Sequence, residues 1–277
     1  MTRLSRRAVL AFAALTPVGM ARAGDEASAW VEGHRSRARL VDAGGEGGGL
    51  ALAAVELVLA PGFKTYWRTP GDSGVPPTFD WSASTNVASV EPLWPAPARF
   101  EDAGGVSYGY HDGLVLPVRV QARDRGAPVR LAGAVDYGVC KDICIPARAV
   151  LALTLSGAGR APAAVAHALA RVPLPQPIGA EGPLSIAAIT LQPGGKLKVR
   201  VRAPDGAAPE LFPEAPENWY LASSPMQEEG SGIAHFIVEV AQRPREATGP
   251  VPLRFTLVAG ERAIESALSL DAADLPR

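Results

Sequence analysis

Cysteine is nearly absent from this chain: 277 residues hold two of them. Histidine occurs four times and methionine three, and aromatics make up 6% of the residues. No sign of charge dominates either. Lys and Arg total 27 against 28 for Asp and Glu, a formal net charge of −1. That removes the electrostatic argument for a nucleic-acid partner. Beyond the first 23 residues no apolar run is long enough to cross a bilayer, so the mature chain is expected to be soluble. No metal site and no cofactor is expected. A chain of this length can bury adequate cores without disulfides, so two cysteines are not needed as staples.

Glycine and proline are what the chain has in plenty, 29 and 26 residues. They fall between short apolar runs, the punctuation of a many-stranded β protein. Residues 1–23 read as an export signal. Arg3, Arg6 and Arg7 form a basic start, residues 8–20 a short apolar stretch, and Ala21-Arg22-Ala23 a small-x-small cleavage site. Ser5-Arg6-Arg7-Ala8-Val9-Leu10 also matches part of a twin-arginine signal, which points to a bacterium and to the periplasm. In that oxidising compartment two neighbouring cysteines rest as a disulfide unless something reduces them.

The pattern predicts strands at 36–41, 50–60, 63–68, 76–81, 87–93, 106–110, 114–121, 129–137 and 147–155. Residues 69–74 and 94–105 read as loops. Such spacing favours an all-β, β-sandwich domain over 24–158. Residues 161–172 read as a helix opened by Pro162 and closed by Pro173, within a helix and Pro-rich linker at 159–183. Strands at 184–191, 196–203, 219–223, 233–240, 251–258 and 263–270 then predict a second β-sandwich-like domain over 184–277. That unit contains no cysteine and no acid, base or metal cluster.

Both cysteines fall in Tyr137-Gly138-Val139-Cys140-Lys141-Asp142-Ile143-Cys144-Ile145-Pro146. A three-residue gap suits a hairpin tip, where facing Cα atoms stand about 4.5–5.5 Å apart and a disulfide can form. So short a loop gives at most about 2–3 kcal/mol of entropic stabilisation, which argues for chemistry over stapling. Several readings stay open on spacing alone. One is an inert bridge, serving an adaptor that binds through 184–277. Another is a redox pair. A third is a Cu(I) site of two thiolates in a copper-binding or copper-tolerance protein, although Ile145 separates Cys144 from Pro146 and no third ligand stands out. A thioredoxin centre fits poorly, since that motif is Cys-x-x-Cys opening a helix.

The same stretch, together with Phe63-Lys64-Thr65-Tyr66-Trp67-Arg68-Thr69-Pro70-Gly71-Asp72-Ser73-Gly74 and Trp94-Pro95-Ala96-Pro97, resembles the periplasmic N-terminal domain of the DsbD/ScsB thiol:disulfide interchange proteins. The resemblance covers residues 36–155 and extends through the second β domain, as in the ScsB-like branch. It implies an immunoglobulin-like sandwich with Cys140 and Cys144 as the catalytic pair of a protein-disulfide reductase that relays electrons. The family's partners are thioredoxin-fold periplasmic proteins, among them disulfide isomerases and cytochrome c maturation proteins. Its electrons come from a polytopic membrane segment. That segment and a C-terminal thioredoxin domain are not found in these residues, so a separate membrane donor is expected. In the family the N-terminal cysteine makes the mixed disulfide and the other resolves it, or the roles exchange by step. Some members cover the disulfide with an aromatic cap. Ala103 occupies the expected place here, which leaves Phe100 or Tyr108 as substitutes. Glu101 and Asp102 are candidate proton acceptors, His111 a candidate shuttle, and Tyr66 and Trp67 candidate neighbours of the hairpin.

Overall fold

Leu50–Leu59 carries apolar side chains on both faces, and both faces are covered. One face, with Ala51, Ala53, Val55 and Leu57, enters the main core. The other packs Leu52 and Ala54 with Val41, Ala43 and the helix residue Val165. A strand buried on both faces reads as a run, where a half-exposed strand would alternate. The computed structural model describes residues 26–72, 74–102, 105–225 and 232–276. The expected export signal and Ala103 lie outside them.

The first sandwich begins with β1 (Val31–Gly33), β2 (Ser36–Gly47), β3 (Leu50–Leu59) and β4 (Lys64–Gly71). It continues with β5 (Thr78–Asp80), β6 (Val87–Pro92), β7 (Ala98–Asp102) and β8 (Gly105–His111). β9 (Gly113–Ala122), β10 (Val129–Cys140) and β11 (Cys144–Leu155) complete it. One sheet has the order β1-β2-β3-β9-β6, the other β11-β10-β4-β8-β7, with β5 added on β10. Helix α1 (Ala163–Ala170) follows, its Val165 and Ala168 buried.

The second sandwich comprises β12 (Leu174–Pro175), β13 (Ser185–Leu191), β14 (Leu197–Arg202) and β15 (Glu210–Glu214). To these it adds β16 (Tyr220–Pro225), β17 (Ile233–Gln242), β18 (Pro250–Ala259) and β19 (Arg262–Asp271). Its sheets run β12-β19-β18-β15 and β13-β14-β17-β16. The all-β, two-sandwich architecture agrees with the sequence pattern. The stretch 159–183 is divided between the sandwiches. α1 packs on the first, and Leu174–Pro175 pairs in parallel with β19 of the second.

Four strands lie outside the expected ones, the short β1 and β12 and the longer β7 and β15. Ala98–Asp102 falls in a predicted loop, yet it pairs antiparallel with β8. It is the last strand of its sheet, so its alternate side chains need not be apolar. Glu210–Glu214 lies where no strand is expected, and it contains Pro213, a residue that sheet ladders disfavour. β15 also ends its sheet, where a missing N–H breaks no ladder. Its Phe212 is fully buried and belongs to the apolar cluster of the first sandwich.

Candidate functional site

β10 and β11 form one uninterrupted hairpin whose last rung is Cys140 opposite Cys144. The turn is closed by Lys141 N–H donating to Ile143 C=O at 3.2 Å. The two Cα atoms are 4.1 Å apart and the sulfurs are bonded. Period-2 alternation sends Val139, Tyr137 and Val135 into the core. Cys140, Gly138 and Asp136 therefore lie on the outer face.

Outer-face residues are normally open, but Cys140 has 0% exposure. On its other flank Cys140 pairs with Lys64 of β4. Lys64 and Tyr66 share this outer face, two residues apart. The Tyr66 hydroxyl lies 3.0 Å from Cys144 Sγ. A disulfide sulfur carries no hydrogen, so the tyrosine donates. The phenol fits because glycine flanks it twice. A Cβ on Gly138 would stand 3.3 Å from Tyr66 Cε2, and one on Gly74 2.5 Å from Cδ1. Cys144 itself is exposed, as are Lys141, Asp142 and Pro146. Ile143, at the tip, is 71% exposed.

Lys64 is buried beside Cys140. Its ammonium donates to Ser107 Oγ at 2.8 Å and stands 5.3 Å from the Phe100 ring and 5.9 Å from the Tyr66 ring. An ammonium on the neighbouring strand favours the thiolate form of Cys140 once the bond is opened. Phe100 meets the His111 ring edge-on at 4.5 Å. These contacts gather Tyr66, Phe100 and His111 around Lys64, and of the three Tyr66 reaches the disulfide.

The other candidates lie elsewhere. Trp67 and Tyr108 point to the opposite face, into the core, where both meet Phe212 edge-on at 6.0 and 5.0 Å. Burial pushes the Tyr108 hydroxyl pKa up. Glu101 is exposed and paired with Arg99 at 2.9 Å. The side chain of Asp102 lies outside the described residues, although its backbone pairs with Gly105. Sequence reasoning overlooked Lys64, Gly74, Gly138 and Ser107. That Lys64 shares a face with Tyr66 was legible, since the two are one strand period apart; its pairing with Cys140 was not. Among the described residues no group of three or more His, Cys, Asp or Glu side chains could hold a metal ion. No helix among them is long and apolar enough to cross a membrane.

Residues 41–156 match the family described as thiol:disulfide interchange protein DsbD, N-terminal. No curated protein matches the chain. Among solved structures, the chain is similar to the crystal structure of the N-terminal periplasmic domain of ScsB from Proteus mirabilis, with a TM-score of 0.68 and 21% identity. That likeness covers 89% of this chain and 99% of the other, and extends the shared fold through the second sandwich. The family match is confined to residues 41–156, the part of the chain that holds most of the first sandwich and both cysteines.

Proposed function

We propose that this protein passes electrons by dithiol/disulfide exchange through Cys140 and Cys144 to thioredoxin-fold partners in the periplasm. The observation that carries the reading is the asymmetry of the pair. Cys144 is an exposed residue at a hairpin tip, and Cys140 is enclosed and paired with the buried Lys64. The exposed apolar Ile143 next to Cys144 supports partner docking there.

In this reading a donor dithiol reduces the Cys140–Cys144 bond and is itself oxidised to a disulfide. The donor is a polytopic membrane protein, as the family resemblance implies. The Cys144 thiolate then attacks a partner disulfide. A mixed disulfide forms and one partner thiolate leaves. The Cys140 thiolate next attacks Cys144 Sγ, which restores the internal bond and releases the partner as a dithiol. Two electrons move and no cofactor takes part. Burial supports Cys144 as the residue that contacts the partner and Cys140 as the resolving one. This reverses the first of the two orders implied by the resemblance.

The test is trapping. Cys140→Ser should accumulate a mixed disulfide with an oxidised thioredoxin-fold protein through Cys144. If neither single-cysteine variant captures a partner, and the pair resists reduction to below about −300 mV, the bond is a structural bridge and the reading fails.

A further inference from the structure

The strand that carries Tyr66 runs directly into the second sandwich. β4 pairs with β8 at Lys64, Thr65 and Tyr66, and then the register breaks until Gly71. Residues 67–70 are therefore not held by the ladder of their own sheet. The second sandwich holds them. Trp67 meets Phe212 of β15. The Arg68 guanidinium lies 4.7 Å from the Trp67 ring centroid and forks onto Glu214, with Nε–Oε2 at 2.9 Å and Nη2–Oε1 at 2.6 Å. It also binds Glu265 of β19. The Thr69 hydroxyl donates to Glu214 at 2.7 Å. Beyond them, the Asp72 carboxylate accepts from Val106 N–H at 2.6 Å and is hydrogen-bonded to Tyr220 of β16.

A guanidinium gripped by two carboxylates has little freedom, because its planar fork matches their geometry. Burial works against the Arg68 charge, but the hydrogen bonds and charges of Glu214 and Glu265 outweigh it and raise its pKa. The tether begins two residues after Tyr66. A useful hydrogen bond from the Tyr66 hydroxyl tolerates only a few tenths of an ångström of drift.

We infer that the second sandwich is a clamp that sets Tyr66 against Cys144. Arg68, Thr69 and Asp72, with Glu214, Glu265 and Tyr220 across the seam, are then positioning residues for the redox pair. The clamp acts on the chemistry by holding the hydroxyl that stabilises a Cys144 thiolate. The inference rests on the proposed exchange for its biological meaning, but its test does not require a partner.

The readout is the thiol pKa of Cys144 in the reduced full-length protein, taken from the pH dependence of iodoacetamide labelling at that residue. Tyr66→Phe removes one hydrogen bond to the thiolate and should raise this pKa by up to about one unit, a tenfold loss of thiolate near neutral pH. Glu214→Gln with Glu265→Gln, and separately Tyr220→Phe, should each lower the thiolate fraction at least about twofold. Combined with Tyr66→Phe they should add nothing, because both routes act through one hydroxyl. Lys196→Ala, on the exposed Lys196–Glu239 pair of the second sandwich, should leave the value unchanged. Should the double glutamine variant fail to fold, Arg68→Lys enters the same cycle in its place. The clamp is overturned if its variants match wild type while Tyr66→Phe shifts the pKa. It is equally overturned if their shifts add in full to that of Tyr66→Phe, or if Tyr66→Phe shifts nothing. A protein that keeps the clamp signature but never exchanges with any disulfide would instead sink the exchange reading alone.

Discussion

Cys140 and Cys144 occupy one rung of a hairpin and share one bond, yet Cys140 is enclosed and Cys144 stands in solvent. In the reduced protein this predicts unequal labelling. Cys144 should react with a bulky maleimide at least about tenfold faster than Cys140, as read by peptide mass spectrometry. Equal rates would mean that the enclosure of Cys140 does not survive opening of the bond.

Lys64 should tune the pair through charge. Lys64→Met removes the ammonium beside Cys140, so the Cys140 thiolate loses stabilisation and its thiol pKa rises. A less stable reduced form lowers the reduction potential, by up to about 30 mV for each unit of thiol pKa. Equilibration against a glutathione buffer measures it. An unchanged potential would exclude the electrostatic role.

Gly138→Ala tests the fit of the phenol. Its Cβ would stand 3.3 Å from the Tyr66 ring and 3.5 Å from Cys140 Sγ. Crowding at that distance costs about 1–3 kcal/mol unless the ring gives way. If it gives way, the hydroxyl leaves Cys144 and the labelling rate of that thiol changes. Urea unfolding and labelling together separate the two outcomes, and a variant normal in both would show a looser site than described.

Phe212→Ala should be the most damaging single change at the seam. The ring is buried and meets both Trp67 and Tyr108. Removing a buried phenylalanine costs about 3–5 kcal/mol. Differential scanning calorimetry should show loss of stability, with one transition giving way to two as the sandwiches uncouple. A change below about 1 kcal/mol would mean that the seam opens freely.

Glu210 gives a pH signature. Burial raises its pKa, with the Arg99 charge opposing only in part. The folded state therefore binds this proton more tightly than the unfolded chain does. Stability is greatest below the ordinary glutamate pKa and falls as pH rises through the raised folded value. Glu210→Gln should match wild type in melting temperature near pH 4 and exceed it near pH 8. The reverse ordering would contradict the burial argument.

Much of this was legible because apolar period and turn chemistry act locally. The hairpin was readable since Val139 and Ile145 bracket the cysteines with strand-forming side chains. The helix was readable from Pro162 and the prolines after it. Ala98–Asp102 and Glu210–Glu214 escaped because strands at sheet margins are held by a neighbour's backbone, which leaves little pattern in their own side chains. The site was legible at its sulfurs and partly at Tyr66 and Phe100. The proximity of Lys64 to Cys140 depends on pairing between strands far apart in sequence, and no local rule reports it. Trp67 and Tyr66 are adjacent in the chain, and alternation alone sent one to the core and the other to the sulfur.

The position of Phe212 has a practical consequence for dissection. The Pro-rich stretch before residue 184 looks like a natural place to cut, and the cysteines lie wholly upstream of it. A fragment ending there would uncover Trp67 and Tyr108, two large aromatic side chains that no residue of the fragment replaces at that contact. It would also leave Arg68 without its carboxylates. Such a truncated piece should self-associate through the bared surface, so its thiol chemistry would report on an aggregate. Work on the redox pair therefore calls for the second sandwich to be kept in place.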